Sequence, residues 1–182
     1  MMRSFLLWLS SRQSIFNFMR RNRLARKFAA RFVAGESIGD AIAAAVELHQ
    51  RGITVSLDML GESVTSLAEA ERARETYLEM LRAMQSAGVE VNVSGKLTQM
   101  GMDIDEARCE ANVRAILALA RELGGFVRLD MEGSAYTQRT LDFFYQRLLA
   151  DFAATVGVVI QAALRRSTSD IAELVRLRAR VR

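Results

Sequence analysis

From residue 36 onward, apolar positions switch between a spacing of three or four residues and short continuous runs, and each switch separates a helix from a buried strand. Glu36-Ser37 opens a helix with Ile38, Ala41, Ile42, Ala45 and Leu48 on one face, and Arg51-Gly52 closes it. Ile53-Thr-Val-Ser-Leu-Asp-Met-Leu60 follows as a β-branched strand. Ser66 with Glu69 forms a capping box for a helix running through Tyr77, Leu78, Leu81 and Met84 to Gly88. Val89–Val93 is the second strand, and Asp103 or Asp105 starts a third helix that Gly124-Gly125 ends. The stretch from Phe126 to Gly133 begins as a strand with Phe126, Val127 and Leu129 and turns abruptly polar. Leu141, Phe144, Tyr145, Leu148 and Phe152 predict a helix with an aromatic face, and residues 155–161 a fourth strand. Ser167 and Asp170 open a helix through Ile171, Leu174 and Val175, and Ala179–Arg182 begins a fifth strand.

Strands alternating with helices define βαβ units with parallel, buried strands. The fold class is therefore α/β. An open doubly wound sheet would carry a glycine-rich phosphate loop after its first strand, and Leu60-Gly-Glu-Ser-Val-Thr has none. A (βα)8 TIM-type barrel needs no such loop and gathers its chemistry at the C-terminal ends of its strands. Polar residues collect there: Asp58 and Glu62, Lys96 and Thr98, Asp130 and Glu132, and Gln161. An acid at a strand end also serves simply to cap the next helix, so no single one of these decides. A full barrel takes about 250 residues, so the expectation is an N-terminal helical arm over 1–35 and about the first half of a barrel over 36–182. Such a sheet is expected to leave two open edges and an apolar interior facing water. That predicts an N-terminal fragment of a longer enzyme, or self-association of two copies.

Charge changes the picture only at the start of the chain. The first 35 residues hold eight Lys or Arg and no acid, interleaved with apolar residues such as Phe5, Trp8, Ile15, Phe18 and Phe28. Three readings stay open: an arm packed on the main domain, a basic amphipathic segment on an anionic membrane surface, and an organellar transit peptide. No nucleic-acid motif accompanies the charge. One cysteine, Cys109, excludes an internal disulfide, and one histidine, His49, excludes a Ser-His-Asp triad or a His-rich metal site. The single Cys suits a reducing compartment, and the expected location is the cytoplasm, with peripheral contact at the inner face of the membrane. No apolar run approaches the ~18 residues of a membrane span.

Four segments in order carry a resemblance: Ser56-Leu-Asp-Met-Leu-Gly-Glu62, Ser94-Gly-Lys-Leu-Thr-Gln-Met-Gly101, Val127-Arg-Leu-Asp-Met-Glu132 and Val159-Ile-Gln-Ala-Ala-Leu-Arg-Arg166. Together with Arg31-Phe-Val-Ala-Gly-Glu36 they resemble the proline dehydrogenase family over nearly the whole chain. The resemblance implies an FAD-bearing (βα)8 barrel that oxidises L-proline to 1-pyrroline-5-carboxylate by hydride transfer from C5 to the flavin. It implies a membrane quinone as electron acceptor and a place as the first step of proline degradation to glutamate. It implies that Lys96 binds the substrate carboxylate, and that Asp130 and Arg182 are active-site residues. Met131 and Gln161 would contact the flavin; no metal is implied. Ala163 and Gly95 depart from the residues usual in relatives, and Gly95 is expected to loosen its strand end. Arg182 is expected to lack support for its orientation, and an ion pair of Lys96 with Asp130 is a compatible structural role. Two readings from other classes remain: a Schiff-base aldolase using Lys96 as nucleophile, and a non-catalytic fragment that binds a membrane surface or partner through its arm.

Overall fold

A computed structural model describes residues 33–35, 37–61 and 64–182. The basic arm through residue 32, Glu36 and Glu62 lie outside the described residues. The chain divides into two units between Ala44 and Ala45. That boundary falls within helix α1 (Ile38–Gln50), which Ser37 caps: its backbone N–H and hydroxyl both donate to Asp40, whose own N–H donates to the Ser37 hydroxyl at 3.2 Å.

The second unit holds five strands: β1 (Leu57–Asp58), β2 (Asn92–Gly95), β3 (Phe126–Leu129), β4 (Val156–Val158) and β5 (Arg180–Val181). All pairings are parallel, and the sheet order is the chain order, β1-β2-β3-β4-β5. An order without reversal means every crossover steps the same way, the arrangement of a barrel wall, whereas a doubly wound sheet reverses at its centre. The crossovers carry α2 (Leu67–Ser86), α3 (Glu106–Glu122), α4 (Thr137–Phe143), α5 (Leu149–Phe152) and α6 (Ser167–Arg176).

The core lies between these helices and one face of the sheet. Val93, Val127, Leu129, Val156 and Val158 from the strands are buried, as are Leu81, Met84, Leu117, Phe144, Leu148 and Leu174 from the crossover helices. Period-two alternation turns the other strand residues away from this layer. That second face corrects the expected apolar interior. It carries Asn92, Ser94, Arg128 and Arg180 and the residues of the rim, with Phe126 as its apolar member, so the wall is largely polar.

Several boundaries differ from the sequence pattern for identifiable reasons. The first strand shrinks to Leu57–Asp58, where the ladder to Val93 and Ser94 exists. The second runs on to Gly95 because Ser94 and Gly95 pair with Arg128 and Leu129. At α2 the Ser66 hydroxyl accepts from the Glu69 N–H at 3.3 Å, while the Glu69 carboxylate reaches Thr65 N at 2.7 Å, one residue before the cap. The aromatic helix starts at Thr137 and contains a π turn over Phe144–Leu148 that joins α4 to α5. At α6, Ser167 makes no cap; its hydroxyl donates to the Gln161 carbonyl at 2.6 Å, and Asp170 pairs with Arg166.

Candidate active site

The polar face is assembled from alternate residues of neighbouring strands. Phe126, Arg128 and Asp130 come from β3 and its end, Asn92, Ser94 and Lys96 from β2, Arg180 and Arg182 from β5. Arg128 donates to Asn92 Oδ1 at 3.4 Å, and the Ser56 and Ser94 hydroxyls lie 3.1 Å apart. The guanidinium groups of Arg180 and Arg128 lie 3.6 Å and 5.1 Å from the centroid of the Phe126 ring. Cations over an aromatic face are favourable, which lets Phe126 stay buried on an otherwise charged wall.

Asp130 stands at the C-terminal end of β3. Its N–H donates to the Gly95 carbonyl at 2.9 Å, extending the β2–β3 ladder to the rim. Arg182 Nη2 donates to Asp130 Oδ1 at 2.7 Å; the Asp130 side chain is 16% exposed and that of Arg182 51%. Burial holds the Asp130 carboxyl above its usual range, against the opposing charge of Arg182; Asp58 adds to the rise, and Lys96 and Arg128 oppose it. The Arg128 guanidinium is pushed down by burial and then by Arg182.

Two expectations change here. Asp130 takes its ion pair from Arg182; Lys96, half-buried, acts on it only through space. Arg182 is held on both sides, its N–H donating to Val158 O at 3.2 Å and its carbonyl accepting from Ile160 N at 3.0 Å. The β4 ladder thus supplies the support that the sequence pattern did not show.

The remaining candidates separate. Glu132 and Thr98 are spent on each other: the Thr98 hydroxyl donates to Glu132 Oε2 at 2.7 Å and the Thr98 N–H to Oε1 at 3.3 Å. They clamp the loop after β3 to the loop after β2. Met131, at 9% exposure, presents little side-chain surface to a ligand. Gln161 is fixed through its carbonyl, which accepts from Ser167 Oγ at 2.6 Å and Leu164 N at 3.1 Å, and its side-chain amide makes no hydrogen bond among the described residues.

Tyr77, Gln99, Arg128 and Arg180 were not singled out from sequence. Arg128 was findable, since it alternates with Phe126 and Asp130; Tyr77 lies in an ordinary helical pattern and gave no signal. Its hydroxyl donates to Ser94 O at 2.8 Å, with Asp58 Oδ1 at 3.2 Å, and burial followed by the Asp58 charge pushes its pKa up. Gly95 is what admits it, because a Cβ there would sit 2.9 Å from the Tyr77 oxygen and 3.0 Å from Cζ. The strand end expected to be loose is instead buried and filled by this hydroxyl. Gly95→Ala is expected to destabilise the protein by about 1–3 kcal/mol through overpacking, read as a lower urea midpoint. A midpoint equal to wild type would mean that Tyr77 moves aside freely.

A sheet wound in one direction, helices on its outer side and a charged rim at its strand ends define the (βα)-barrel class of enzyme. The chain matches the family model for proline dehydrogenase over residues 41–181. It is 40% identical over 158 residues to proline dehydrogenase of Deinococcus radiodurans, covering 85% of this chain and 51% of that one. With proline dehydrogenase 1 of Bacillus subtilis it shares 31% over 177 residues, 92% of this chain and 58% of the relative. Among solved structures, proline utilization A from Bdellovibrio bacteriovorus, inactivated by N-propargylglycine, superposes with a TM-score of 0.76 at 26% identity, covering 84% of this chain and 19% of that one. The chain belongs to the proline dehydrogenase family, and its fold is a partial TIM-type barrel. It spans about half the length of the curated relatives it matches.

No helix among the described residues is long and apolar enough to cross a membrane.

Proposed function

We propose that this chain carries β1–β5 of the catalytic barrel of an FAD-dependent proline dehydrogenase, which oxidises L-proline to 1-pyrroline-5-carboxylate and delivers the electrons to a membrane quinone. The observation that carries the reading is the Asp130–Arg182 pair, with Lys96 beside it, on the rim of a chain whose family match covers residues 41–181. In this reading residues 1–35 form a basic arm at the inner face of the membrane, and residues 36–182 the first half of the barrel.

The donor set suits a flavin. Arg128, Arg180, Arg182 and Lys96 make one wall cationic, and the Gln161 amide adds a neutral donor beside it, matching a ring that gains negative charge on reduction and a phosphate-bearing tail. When bound, the flavin supplies the two-electron acceptor. Lys96 holds the substrate carboxylate by charge, Arg182 is kept over the rim by Asp130, and Gln161 orients the ring through its amide. The rigid strand ends place these groups before substrate arrives, which is how a barrel rim contributes to rate.

The test is a visible absorption spectrum of the purified chain loaded with FAD, taken before and after anaerobic addition of L-proline. A bound flavin spectrum that bleaches is the expected result. A protein that retains no flavin, or whose flavin ignores L-proline, would overturn the reading for this chain.

A further inference from the structure

We propose that Gln99 is a positioning residue of the rim, whose one side-chain amide locks the ends of β1 and β2 into a single frame and so sets the placement of Asp58 and Lys96. Gln99 lies in the turn after β2 and is 1% exposed. Its Nε2 donates to the Met59 carbonyl at 3.0 Å and the Gly61 carbonyl at 3.3 Å. Its Oε1 accepts from the Lys96 N–H at 3.3 Å and lies 3.4 Å from the Tyr77 hydroxyl. Both donors of the amide and one acceptor direction are therefore engaged, all with main chain beside Asp58 and Lys96, and the Tyr77 oxygen lies next to the remaining acceptor direction. A buried side chain chosen only for packing would not spend three hydrogen bonds on the main chain of two loops; an apolar residue of the same size would remove all three from a part-buried site.

Tyr77 completes the frame from the helix side. Its hydroxyl reaches Ser94 O, Asp58 Oδ1 and Gln99 Oε1, so the β1 end, the β2 end and the amide meet at one buried oxygen. One hydroxyl proton serves one acceptor well, and the shortest contact assigns it to Ser94. The Glu132–Thr98 clamp then fastens the same β2 turn to the loop after β3. The turn over Thr98–Met100 is thus gripped from both sides, and Gln99 is the grip toward β1.

Two substitutions separate the halves of the amide. Gln99→Glu keeps an acceptor for the Lys96 N–H but removes the donors to Met59 and Gly61; Gln99→Ala removes both. The expected result is that amide exchange at Lys96 rises about tenfold in Gln99→Ala, the loss of one buried hydrogen bond, and stays near wild type in Gln99→Glu. Chymotryptic cleavage after the exposed Leu60 should rise in both, with α3 amides unchanged. In flavin-loaded protein, KM for L-proline should rise more than kcat falls in Gln99→Ala; this arm alone rests on the assignment of Lys96 to substrate. If the wild-type chain does not oxidise proline, that assignment fails and the two local probes still decide the role of Gln99. Wild-type exchange and cleavage in Gln99→Ala, or a rise shared equally by α3, would overturn the proposal. Should Gln99→Ala not fold, cleavage after Leu60 in Gln99→Glu decides it, a wild-type rate counting against.

Discussion

Replacing Asp130 by Asn is expected to lower L-proline turnover of the flavin-loaded protein by about 10²–10³-fold, the usual cost of removing one preorganised electrostatic group, without weakening the fold. The side chain keeps its shape but loses the charge that holds Arg182 2.7 Å away. Arg182 is half exposed, so it swings to water at little cost and leaves the rim. The stability side follows from the raised carboxyl. A folded-state pKa above the unfolded value means that folding favours the protonated acid, so the contribution of this group to stability is present at acid pH and is lost as pH rises through the raised value. Asn carries no such loss. At neutral pH the variant should therefore be at least as stable as wild type, and the gap should narrow as the pH falls toward the ordinary carboxylate range. Urea titrations of both proteins at neutral and acid pH measure this, beside anaerobic flavin reduction. A variant of full activity, or one markedly less stable at neutral pH, would show that Asp130 is a structural ion-pair partner and nothing more.

Phe126→Ala should have the largest effect on stability, about 3–5 kcal/mol for removal of a buried Phe side chain, with a further ~0.5–1 kcal/mol in lost contact with the Arg128 and Arg180 cations. Native domains hold about 5–15 kcal/mol in total, so the loss is roughly a third or more of a typical domain's stability. Phe126 is 4% exposed and lies under both Arg128 and Arg180, so its loss opens a hole between two like charges and unseats β5. Phe126→Leu keeps apolar volume but not the ring face; the difference between the two variants in urea midpoint isolates the cation–ring part. A cost below 1 kcal/mol for Phe126→Ala would mean that the ring is not the floor of this wall.

The order of helices and strands was legible because each element carries its own period, and the rim positions of Lys96, Asp130 and Gln161 followed from strand ends. Strand lengths were not, because a parallel ladder extends only as far as its neighbour's register, and Ser94-Gly95 join β2 through Arg128 and Leu129, a segment some 30 residues away. The π turn at Phe144–Leu148 left no trace in an aromatic spacing that fits an unbroken helix equally well. The ion pair of Lys96 with Asp130, a compatible role on sequence because both residues were placed at strand ends, does not form; Asp130 pairs instead with Arg182, 52 positions along the chain. Gln99 and Tyr77 escaped notice because a buried amide and a buried phenol reveal their purpose only through main-chain atoms, which no residue pattern displays.

The uninterrupted strand order also bears on how the protein is made. Each strand pairs with the one that precedes it in the chain, so the wall is expected to grow in the direction of translation, with no segment waiting for a distant mate. Asp130 emerges 52 residues before Arg182, its ion-pair partner, which reaches it only once β4 and β5 have joined. The ion pair therefore reports the joining of β5, and a nascent chain stalled before Arg182 would hold the Asp130 carboxylate without its ion-pair partner.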